Sequence, residues 1–473
     1  MGQLPSSVTP LQRCLNLVCP RHHDCLAYPN HPLYDISWVR PYNLEALVTP
    51  LAVLRPSRSS MVAEAVNCAT KHGSFVQARS GGHSYGNYGL GGDNGAVVID
   101  LVNLNSFSMD KDNNVASFGA GLRLGELDRQ LHKHGRAIPH GTCPGVGVGG
   151  QATIGGLGPS SRMWGTLADH IVQVEVVVKG EVRRASEHEN PDLFWALRGA
   201  GPSFGIITKF WMKTHPEPGS VVEYTYDVSF GNDPGATKEI FKQWQDLAGD
   251  VSLDRRFSSL LIIHPLGVIV SGTFYGSQRD FDETGILERL PKSSSLRLNS
   301  WLGSVAHHFE SIILQLADVP TRFVSKSLAL RPQDVLNNDE TDALFDFMYG
   351  DEAHVPMVAM FNTEGGAVAD LPLNHTSYPH RDKVIMFQSY VIGGHEVPPN
   401  HKRFLTGVYE RVKRHTPLGG STYAGYIDMA LSSSDAVFAY WGDMLPRLRQ
   451  IKLEWDPNNV FRNPQSVPPA MVR

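Results

Sequence analysis

Two glycine-rich loops hold the residues with the clearest chemistry in this chain of 473 residues. The first loop runs from Arg79 to Gly92, contains six glycines and places His83 among them. The second loop runs from His140 to Gly150 and places Cys143 near its start. Glycine lets backbone N–H groups approach an anion closely, so both loops are typical of phosphate-binding segments. Each loop also contains one nucleophile, an imidazole in the first and a thiol in the second.

Short strands and helices must position these loops, and their hydrophobic patterns can be read from the sequence. An apolar run at 75–78 predicts a strand that leads directly into the His83 loop. Apolar residues at helical spacing predict an amphipathic helix over 122–134, just before the Cys143 loop. Further strands are predicted at 96–101, 115–119, 171–178 and 206–211. Further helices are predicted at 60–72, with Ser59 as N-cap, and at 191–198, with Asn190 as N-cap.

The turn-forming residues at 214–219 mark a boundary in the chain. Beyond it, alternating patterns predict strands at 221–228 and 257–263, and helical patterns follow at 236–248, 341–349 and 434–453. A chain of this length exceeds what one core usually supports, so we predict an α+β protein of two domains. The predicted segments are an N-terminal extension at 1–44, a first domain at 45–218, a second domain at 219–420 and a C-terminal segment at 421–473.

The composition argues against several classes of partner. The formal net charge is −5 and the pI is about 6.5, so nothing in the charge favours a nucleic acid or an anionic membrane. No apolar run approaches the roughly 18 residues of a membrane span. His307 and His308 are adjacent, a spacing that suits no metal site, so we predict no metal.

The two loops resemble the flavin-binding segments of the vanillyl-alcohol-oxidase superfamily, whose fold is a PCMH-type FAD-binding domain with a second, substrate-binding domain. The matching runs are Ser80-Gly81-Gly82-His83-Ser84-Tyr85 and His140-Gly141-Thr142-Cys143-Pro144. The segment at 192–199 and the tail at 456–466 are similar to the berberine-bridge-enzyme-like branch, in which the tail returns to the FAD domain. Within that branch, the chain resembles the fungal oligosaccharide oxidases. A Rossmann interpretation of 199–205 fails because a helix precedes that turn and a strand follows it.

The resemblance implies an FAD cofactor that is attached twice, through His83 to the 8α-methyl carbon and through Cys143 to C6 of the ring. A single attachment through the histidine is the alternative. The protein would then position the cofactor and tune its electrostatics. The other residues implied in FAD binding are Arg79, Ser80, Gly81, Gly82, Ser84, Thr142, Val146, Gly147, Val148, Gly149, Gly150, Gly155, Gly156, Gly158, Gly205, Ile206, Asn463 and Gln465.

Two tyrosines, Tyr423 and Tyr426, match a family motif whose second tyrosine takes the proton of a substrate hydroxyl as hydride leaves for flavin N5. A tyrosine has an ordinary pKa near 10, so it needs a partner to act as a base near neutral pH. Gln388 matches a glutamine that contacts sugar, and Tyr85 is a further positioning residue. The resemblance thus implies Tyr426 as the base and the other three as positioning groups.

The sequence departs from the sugar oxidases at several positions. Asn362 stands where they have an aspartate that assists the tyrosine, with Glu364 two residues on, and Leu157 and Gly425 replace a usual tyrosine and asparagine. The expected substrate is therefore an oligosaccharide or a bulkier, more apolar secondary metabolite with an alcohol group. Val146 matches a valine that leaves room for O₂ in family oxidases, which implies H₂O₂ as the co-product. The rival interpretation is a protein that uses flavin as a scaffold for a non-redox cyclisation or for binding.

Four cysteines remain besides Cys143, and their positions alone allow three pairings. The resemblance implies Cys14 with Cys68, which leaves Cys19 to pair with Cys25. Such disulfides predict a secreted protein, and Asn374-His375-Thr376 is a glycosylation sequon. The first four residues do not resemble a signal peptide, so the alternative is an intracellular protein with free thiols. We expect a monomer whose partners are a small-molecule substrate and O₂.

Overall fold

The computed structural model describes residues 8–20, 24–229, 234–265, 267–290, 295–304, 319–350, 355–414 and 420–471. The predicted α+β class is confirmed, because helices and sheets are mixed in both halves of the chain. His307 and His308, and the first four residues, lie outside the described residues. Within the described parts, no helix is long and apolar enough to cross a membrane.

Two sheets form the first half of the chain. One has the strand order β1-β2-β4-β3, in which β2, β4 and β3 are parallel. The other is antiparallel, with the order β5-β6-β10-β8-β9. A short pair, β7 with β11, joins residues 136–137 to 215–216. The strands are β1 (Leu26–Ala27), β2 (Ala52–Leu54), β3 (Val76–Arg79), β4 (Val97–Asp100), β5 (Phe107–Asp110), β6 (Val115–Gly119), β7 (Arg136–Ala137), β8 (Ile171–Val178), β9 (Glu181–Ser186), β10 (Ile206–Lys213) and β11 (His215–Pro216).

A seven-stranded antiparallel sheet forms most of the second half, with the order β15-β12-β14-β13-β17-β18-β16. Phe361 and Phe387 lie on its helix-covered face, in a core of their own. Since side chains alternate along a strand, Asn362 and Gln388 lie on the opposite face. The strands are β12 (Val221–Ser229), β13 (Phe257–His264), β14 (Gly267–Phe274), β15 (Ser295–Asn299), β16 (Arg322–Leu330), β17 (Met357–Thr363) and β18 (Ile385–Gly393).

The helices cover the sheets and complete two separate cores. One core joins apolar residues of 15–212 with others of 436–467, and the second lies within 222–412. The domain boundaries at 44, 218 and 420 stay a prediction. The described α-helices are Pro10–Val18, Ser59–Lys71, Leu124–His132, Val148–Gln151, Ser161–Trp164, Pro191–Ala200, Pro234–Ala248, Gln278–Glu283, Ile286–Arg289, Asn338–Met348, Pro399–Val412, Ser433–Trp441 and Leu445–Trp455.

The predicted single helix over 434–453 is wrong, because one helix ends at Trp441 and a second helix begins at Leu445. Gly442 has a φ of +43°, which glycine adopts without strain and which a helix cannot accommodate. Pro446, in the first turn of the next helix, suits a new helix start because its missing N–H needs no partner there. The sequence pattern was therefore helical on both sides of a turn.

Both predicted N-caps also differ in detail. Arg58, not Ser59, occupies the N-cap position, and the Ser59 hydroxyl bonds to the side chains of Glu175 and Thr208 instead. Asn190 does stand at the N-cap of its helix, but its side-chain amide donates to a carbonyl in β9. In both cases a bond to another part of the chain, outside the helix, replaces the capping hydrogen bond that the pattern predicted.

The predicted disulfides are both present, Cys14 with Cys68 and Cys19 with Cys25. The first joins the helix Pro10–Val18 to the helix Ser59–Lys71. Cross-linking residues that are far apart in sequence restricts the unfolded chain, so this bond stabilises the N-terminal segment against the first core. Cys143 belongs to neither pair.

A buried ion pair fastens the C-terminal segment to the first core. Lys452 Nζ lies 2.6 Å from Asp456 Oδ2 and 2.8 Å from the carbonyl of Phe461, and it also donates to the carbonyl of Ser203. Asp456 accepts in addition from the backbone N–H groups of Val460 and Phe461. The lysine is fully buried, and burial lowers its pKa to about 8 while Asp456 opposes that shift.

Asp456→Ala is expected to lower the free energy of unfolding by about 3–5 kcal/mol, because it leaves the Lys452 ammonium buried without its counter-charge. Denaturant unfolding at neutral pH measures the change. Glu283→Ala is the matched control, since it breaks an ion pair of the same helical spacing with Arg279 that is solvent-exposed. That control should cost under about 1 kcal/mol, and equal losses in the two variants would contradict the argument.

Candidate active site

The His83 loop and the Cys143 loop touch through two glycines. A Cβ on Gly81 would lie 2.2 Å from the amide nitrogen of Gly147, and a Cβ on Gly147 would lie 2.0 Å from that of Gly81. Real Cβ atoms essentially never come within 3.0 Å of such neighbours, so this contact needs glycine on both sides. The structure thus brings the two predicted loops directly against each other.

Arg79 anchors the start of the first loop with its side chain turned into the protein. Nη1 donates to the carbonyl of Trp38 at 3.1 Å and Nη2 to that of Arg40 at 3.2 Å. The guanidinium also lies 3.7 Å from the carboxylate of Asp100. Burial lowers the pKa of Arg79 to about 10, and Asp100 opposes that shift. The guanidinium therefore holds the loop in place.

The two serines beside His83 are also bonded within the protein. Ser80 Oγ donates to the carbonyl of Ala120 at 2.7 Å, and Ser84 Oγ accepts from the N–H of Tyr88 at 3.0 Å. The imidazole between them is half-buried, and its ring centroid lies 4.8 Å from that of Tyr42. These contacts on both sides fix the direction in which the His83 side chain leaves the loop.

The Cys143 loop rests on the helix that begins at Leu124. The N–H groups of Leu124 and Gly125 donate to the carbonyls of Val146 and Pro144, at 2.9 and 3.1 Å. The first N–H groups of a helix have no partner within it, so the loop satisfies them. Cys143 lies in this supported turn and is half-buried, which suits a thiol that must react with a bound group.

A buried ion pair holds the start of the same loop. His140 Nε2 lies 2.7 Å from Asp128 Oδ1, and Nδ1 lies 2.7 Å from the carbonyl of Gly141. Both partners are acceptors, so both ring nitrogens donate and the imidazole is protonated. Burial works against the charged form, but the Asp128 carboxylate outweighs it and raises the pKa of His140.

The tyrosines of the predicted catalytic motif lie beside the glycine turn at 155–158. Tyr423 and Tyr426 meet edge to face, with ring centroids 5.1 Å apart. The N–H of Gly156 donates to Tyr423 Oη at 3.1 Å. Gly155 has a φ of +115°, and a Cβ there would lie 2.5 Å from the ring of Tyr378. The turn thus needs glycine in order to pack against the tyrosines.

Five aromatic side chains, which we call the aromatic cluster, surround the place where the two halves of the chain meet. Tyr85 is at its centre, and its ring centroid lies 5.3–6.2 Å from those of the other four. Tyr85 Oη lies 2.7 Å from Tyr390 Oη and 3.4 Å from Gln388 Oε1, and Tyr390 Oη also donates to Gln388 Oε1. The cluster consists of Tyr42, Tyr85, Phe323, Tyr390 and Tyr426.

Burial governs the acidity of these hydroxyl groups. It raises the pKa of Tyr85, Tyr390, Tyr423 and Tyr426 above the ordinary value of 10. A hydrogen bond from Gln388 opposes the shift at Tyr426 without cancelling it. A neutral tyrosine can take a proton only if its own proton moves to another acceptor. A base at Tyr426, as the family motif implies, would therefore need a further proton acceptor.

Asn362 and Glu364 lie at the end of β17, beside the two tyrosines. Asn362 Nδ2 is buried and lacks a hydrogen-bond partner among the described residues, and so does Glu364 Oε2. Burial raises the pKa of Glu364 to about 8, while the charge of Arg162 works in the opposite direction. Asn362 cannot hold a proton, so Glu364 is the titratable carboxyl group of this face.

The remaining residues predicted for the cofactor lie around the two loops. Gly205 packs so closely on β8 that a Cβ would lie 2.7 Å from the carbonyl of Val177. The side-chain amide of Gln465 is fully bonded within the protein, to Tyr440 Oη and to two carbonyls, and Asn463 Oδ1 accepts from the Gln465 N–H. These two tail residues therefore bond to other residues of the C-terminal segment and fix its conformation. Thr142, Val148, Gly149, Gly150 and Ile206 lie in the Cys143 loop, the short helix after it and β10.

Comparison with known proteins identifies the family. Residues 50–186 match the family model of an FAD binding domain. Residues 422–468 match a second family model, described as berberine and berberine like. The chain is 36% identical over 465 residues to the FAD-linked oxidoreductase sorD of Penicillium rubens, covering 96% of this chain and 98% of the relative. It belongs to this family of FAD-linked oxidoreductases. The xylooligosaccharide oxidase of Thermothelomyces thermophilus is 31% identical and covers 91% of the chain and 90% of the relative.

Solved structures agree with this assignment to the FAD-linked oxidoreductases. A glucooligosaccharide oxidase from Acremonium strictum superposes with a TM-score of 0.88 at 28% identity, covering 98% of this chain and 100% of that one. It has a 6-S-cysteinyl, 8α-N1-histidyl FAD. A xylooligosaccharide oxidase from Myceliophthora thermophila, in complex with xylobiose, gives a TM-score of 0.89 at 28% identity, with 98% and 100% coverage. The predicted family, fold and FAD cofactor are confirmed.

The residues of this oxidoreductase fit an FAD. Its loops form a cradle in which a side chain at Gly81 or Gly147 would collide with backbone, so the main chain can closely approach a pyrophosphate. His83 and Cys143 supply the two kinds of nucleophile that a doubly attached ring would need. Among the described residues, no group of three or more His, Cys, Asp or Glu side chains could hold a metal ion.

Several residues of the oxidoreductase site were missed by sequence reasoning. Tyr42, Phe323 and Tyr390 complete the aromatic cluster, yet they come from the N-terminal extension and from two strands of the distant sheet. Lone aromatic residues give no periodic signal that separates them from core positions. Tyr378 was likewise missed, and its glycine contact appears only in three dimensions.

Proposed function

We propose that this oxidoreductase is an oxidase whose FAD is attached through both His83 and Cys143 and whose base is Tyr426. The observation that supports it most is the contact of the two loops at Gly81 and Gly147, which puts both nucleophiles on one rigid support. When bound, FAD accepts a hydride from the alcohol carbon of the substrate and passes the electrons to O₂, which yields H₂O₂. The chain's own residues orient the substrate and move its hydroxyl proton.

The proton chemistry of the proposal centres on Tyr426. Its hydroxyl group bonds to Gln388, and its ring stacks near that of Tyr85. Tyr423 is held by the N–H of Gly156 and packs edge to face on the base. Gln388, Tyr85 and Tyr423 therefore position the oxygen of Tyr426, which takes the proton of the substrate hydroxyl as the carbon–hydrogen bond breaks.

We infer that the substrate is either an oligosaccharide or a bulky secondary metabolite with an alcohol group. The aromatic cluster offers flat apolar ring faces with hydroxyl groups at their edges, and both kinds of substrate can stack on such faces. The decisive experiment measures H₂O₂ release over a panel of oligosaccharides, aromatic alcohols and alkaloid-like amines. Anaerobic loss of the oxidised flavin absorbance with a panel member supports the oxidase. An unchanged spectrum with every binding ligand would favour a flavin scaffold instead.

Val146→Leu is expected to slow the return of the oxidised flavin absorbance with O₂ by about tenfold or more, since about 1.4 kcal/mol of steric obstruction gives that factor. Val146 lies in the turn after Cys143, and its N–H bonds to the Cys143 carbonyl, so a longer side chain would crowd the ring attached there. Stopped-flow spectroscopy measures this step separately from reduction by substrate. Val146→Ala is the control and should keep the wild-type rate. A leucine variant as fast as wild type would refute O₂ access at this position.

We propose that the protein is secreted and acts as a monomer. Two disulfides support an oxidising environment. Asn374, in the sequon, is exposed and its carbonyl accepts from the indole N–H of Trp195. Mass measurement of protein from the culture medium of the native host, with and without removal of N-linked glycans, tests secretion and glycosylation. Light scattering of the native protein in solution tests the monomeric state.

A further inference from the structure

Glu364 is a buried carboxylic acid that the packing of the chain does not explain. Only 5% of the residue is exposed, and its Oε2 atom has no hydrogen-bond partner among the described residues. Its backbone, by contrast, is held on both sides: its N–H donates to the carbonyl of Val384 at 2.7 Å, and its carbonyl accepts from Arg162 Nη1. Burying a carboxyl group without a partner costs stability, so a group that is kept there calls for a functional explanation.

The position of Glu364 places it on the site side of the seven-stranded sheet. In the pairing of β17 with β18, Met360 lies opposite Gln388 and Asn362 lies opposite Met386. Met386 packs in one apolar cluster with Tyr423, Tyr426 and Tyr378. Glu364 follows Asn362 by two residues, so it continues the same face just beyond the end of the strand.

The electrostatics agree with that placement. The charge of Glu364 raises the pKa of Tyr378, of Tyr423 and of Tyr426, so its carboxylate lies within electrostatic range of all three hydroxyl groups. Tyr378 Oη is itself buried without a hydrogen-bond partner among the described residues. Two orphaned polar atoms beside a catalytic pair point to a proton path rather than to a stabilising contact.

The charged groups around Glu364 leave its carboxyl group unpaired. The Arg162 guanidinium donates to three backbone carbonyls, those of Phe257, Leu253 and Glu364 itself. Arg381 is bonded to Asp169 at 2.5 Å, and Lys383 to Asp382 at 2.6 Å. His380, on the same segment, stays neutral because burial lowers its pKa to about 3. No described cation is therefore bonded to the Glu364 carboxylate.

We propose that Glu364 is the proton acceptor that lets Tyr426 act as a base. A bound FAD would accept the hydride of the substrate carbon; at the same time the hydroxyl O–H bond breaks and its proton joins the oxygen of Tyr426. The proton already on Tyr426 leaves for the Glu364 carboxylate, so that one O–H bond forms for each that breaks. The substrate becomes a carbonyl compound, and Glu364 is left as a neutral acid.

This assignment makes Glu364 a positioning residue that acts through Tyr426, and it rests on the proposed function. Because burial raises the pKa of the carboxyl group to about 8, the group holds a proton below that pH and can accept one above it. The rate of flavin reduction should therefore rise with pH through about 8. Glu364→Gln keeps the shape and removes the titration, so its profile should be flat there and its rate at high pH about 10²-fold lower.

Infrared spectroscopy of the resting protein supplies a reading that does not depend on turnover. The carbonyl stretch of a protonated carboxyl group should be present at pH 6, disappear as the pH rises through about 8, and be absent in Glu364→Gln. Glu340→Gln is the matched control, because Glu340 is also mostly buried but forms the capping box of a helix in the other core. The control should keep both the infrared band and the pH profile.

The outcomes separate this inference from the proposed function. A Glu364→Gln variant with the wild-type rate and pH profile, alongside a slow Tyr426→Phe variant, overturns the role of Glu364 and leaves the base intact. A fast Tyr426→Phe variant overturns the base itself. If Glu364→Gln fails to fold or to load flavin, the wild-type infrared titration decides: absence of a band that titrates near pH 8 overturns the proposal.

Discussion

Acid-precipitated wild-type protein is expected to stay yellow, and His83→Ala and Cys143→Ala are each expected to keep one of two flavin attachments. Both nucleophiles project from loops that are locked together at Gly81 and Gly147, so either bond alone can hold the ring near its place. Absorbance of the washed precipitate and the masses of flavin-bearing peptides measure the result. The double variant should release its FAD completely.

His188→Ala is the control for this experiment, since His188 is an exposed histidine in the loop between β9 and the helix Pro191–Ala200. It should keep both attachments. Complete release of FAD from the wild-type protein by acid or detergent would rule out covalent attachment. Retention by the Cys143→Ala variant alone, with release from His83→Ala, would mean a single histidyl bond, the alternative that the sequence left open.

Local patterns predicted the elements that carry the loops. The strand over 171–178 has the bounds of β8, because an alternating segment that becomes wholly apolar matches a strand with one end buried on both faces. The strand over 115–119 has the bounds of β6. The long C-terminal helix failed at Gly442, where a single left-handed residue turns the chain although the apolar pattern continues. Periodicity reports which face is buried, not whether the backbone is continuous.

The residues that surround Tyr423 and Tyr426 could not be predicted from the sequence, for a different reason. Arg162 lies 202 residues before Glu364 in the sequence, and its guanidinium bonds to the backbone carbonyl of Glu364 and not to the carboxylate. Only the three-dimensional structure shows that the Glu364 carboxylate is left without this partner. Tyr390 meets Tyr85 across 305 residues of sequence, and Tyr42 reaches Tyr85 from the N-terminal extension. A loop that binds a cofactor has its residues together in one short sequence motif, which can be recognised in the sequence. The residues that contact the substrate come one at a time from many elements, so no such motif exists for them.

Tyr426→Phe is expected to slow flavin reduction by substrate about 10²–10⁴-fold, the usual cost of removing a general base. The flavin should remain attached, because the substitution changes neither His83 nor Cys143, the two proposed attachment residues. Anaerobic stopped-flow spectroscopy over a range of pH measures the rate. Tyr28→Phe is the control: its hydroxyl bonds to Asn16 in the N-terminal segment, away from the site, and its loss should leave the rate unchanged.

The phenylalanine variant isolates the oxygen because the ring contacts of Tyr426 survive the change. The ring stands 6.2 Å from that of Tyr85 at an interplanar angle of 17°, and 5.1 Å from that of Tyr423, and phenylalanine can keep both contacts. What it loses is the hydroxyl group that bonds to Gln388 and lies within electrostatic range of Glu364. If the rate of flavin reduction falls while the affinity for substrate stays the same, the substitution has impaired proton transfer and not binding. A wild-type rate across the pH range would place the base on another residue, and the family mechanism would not apply to this chain.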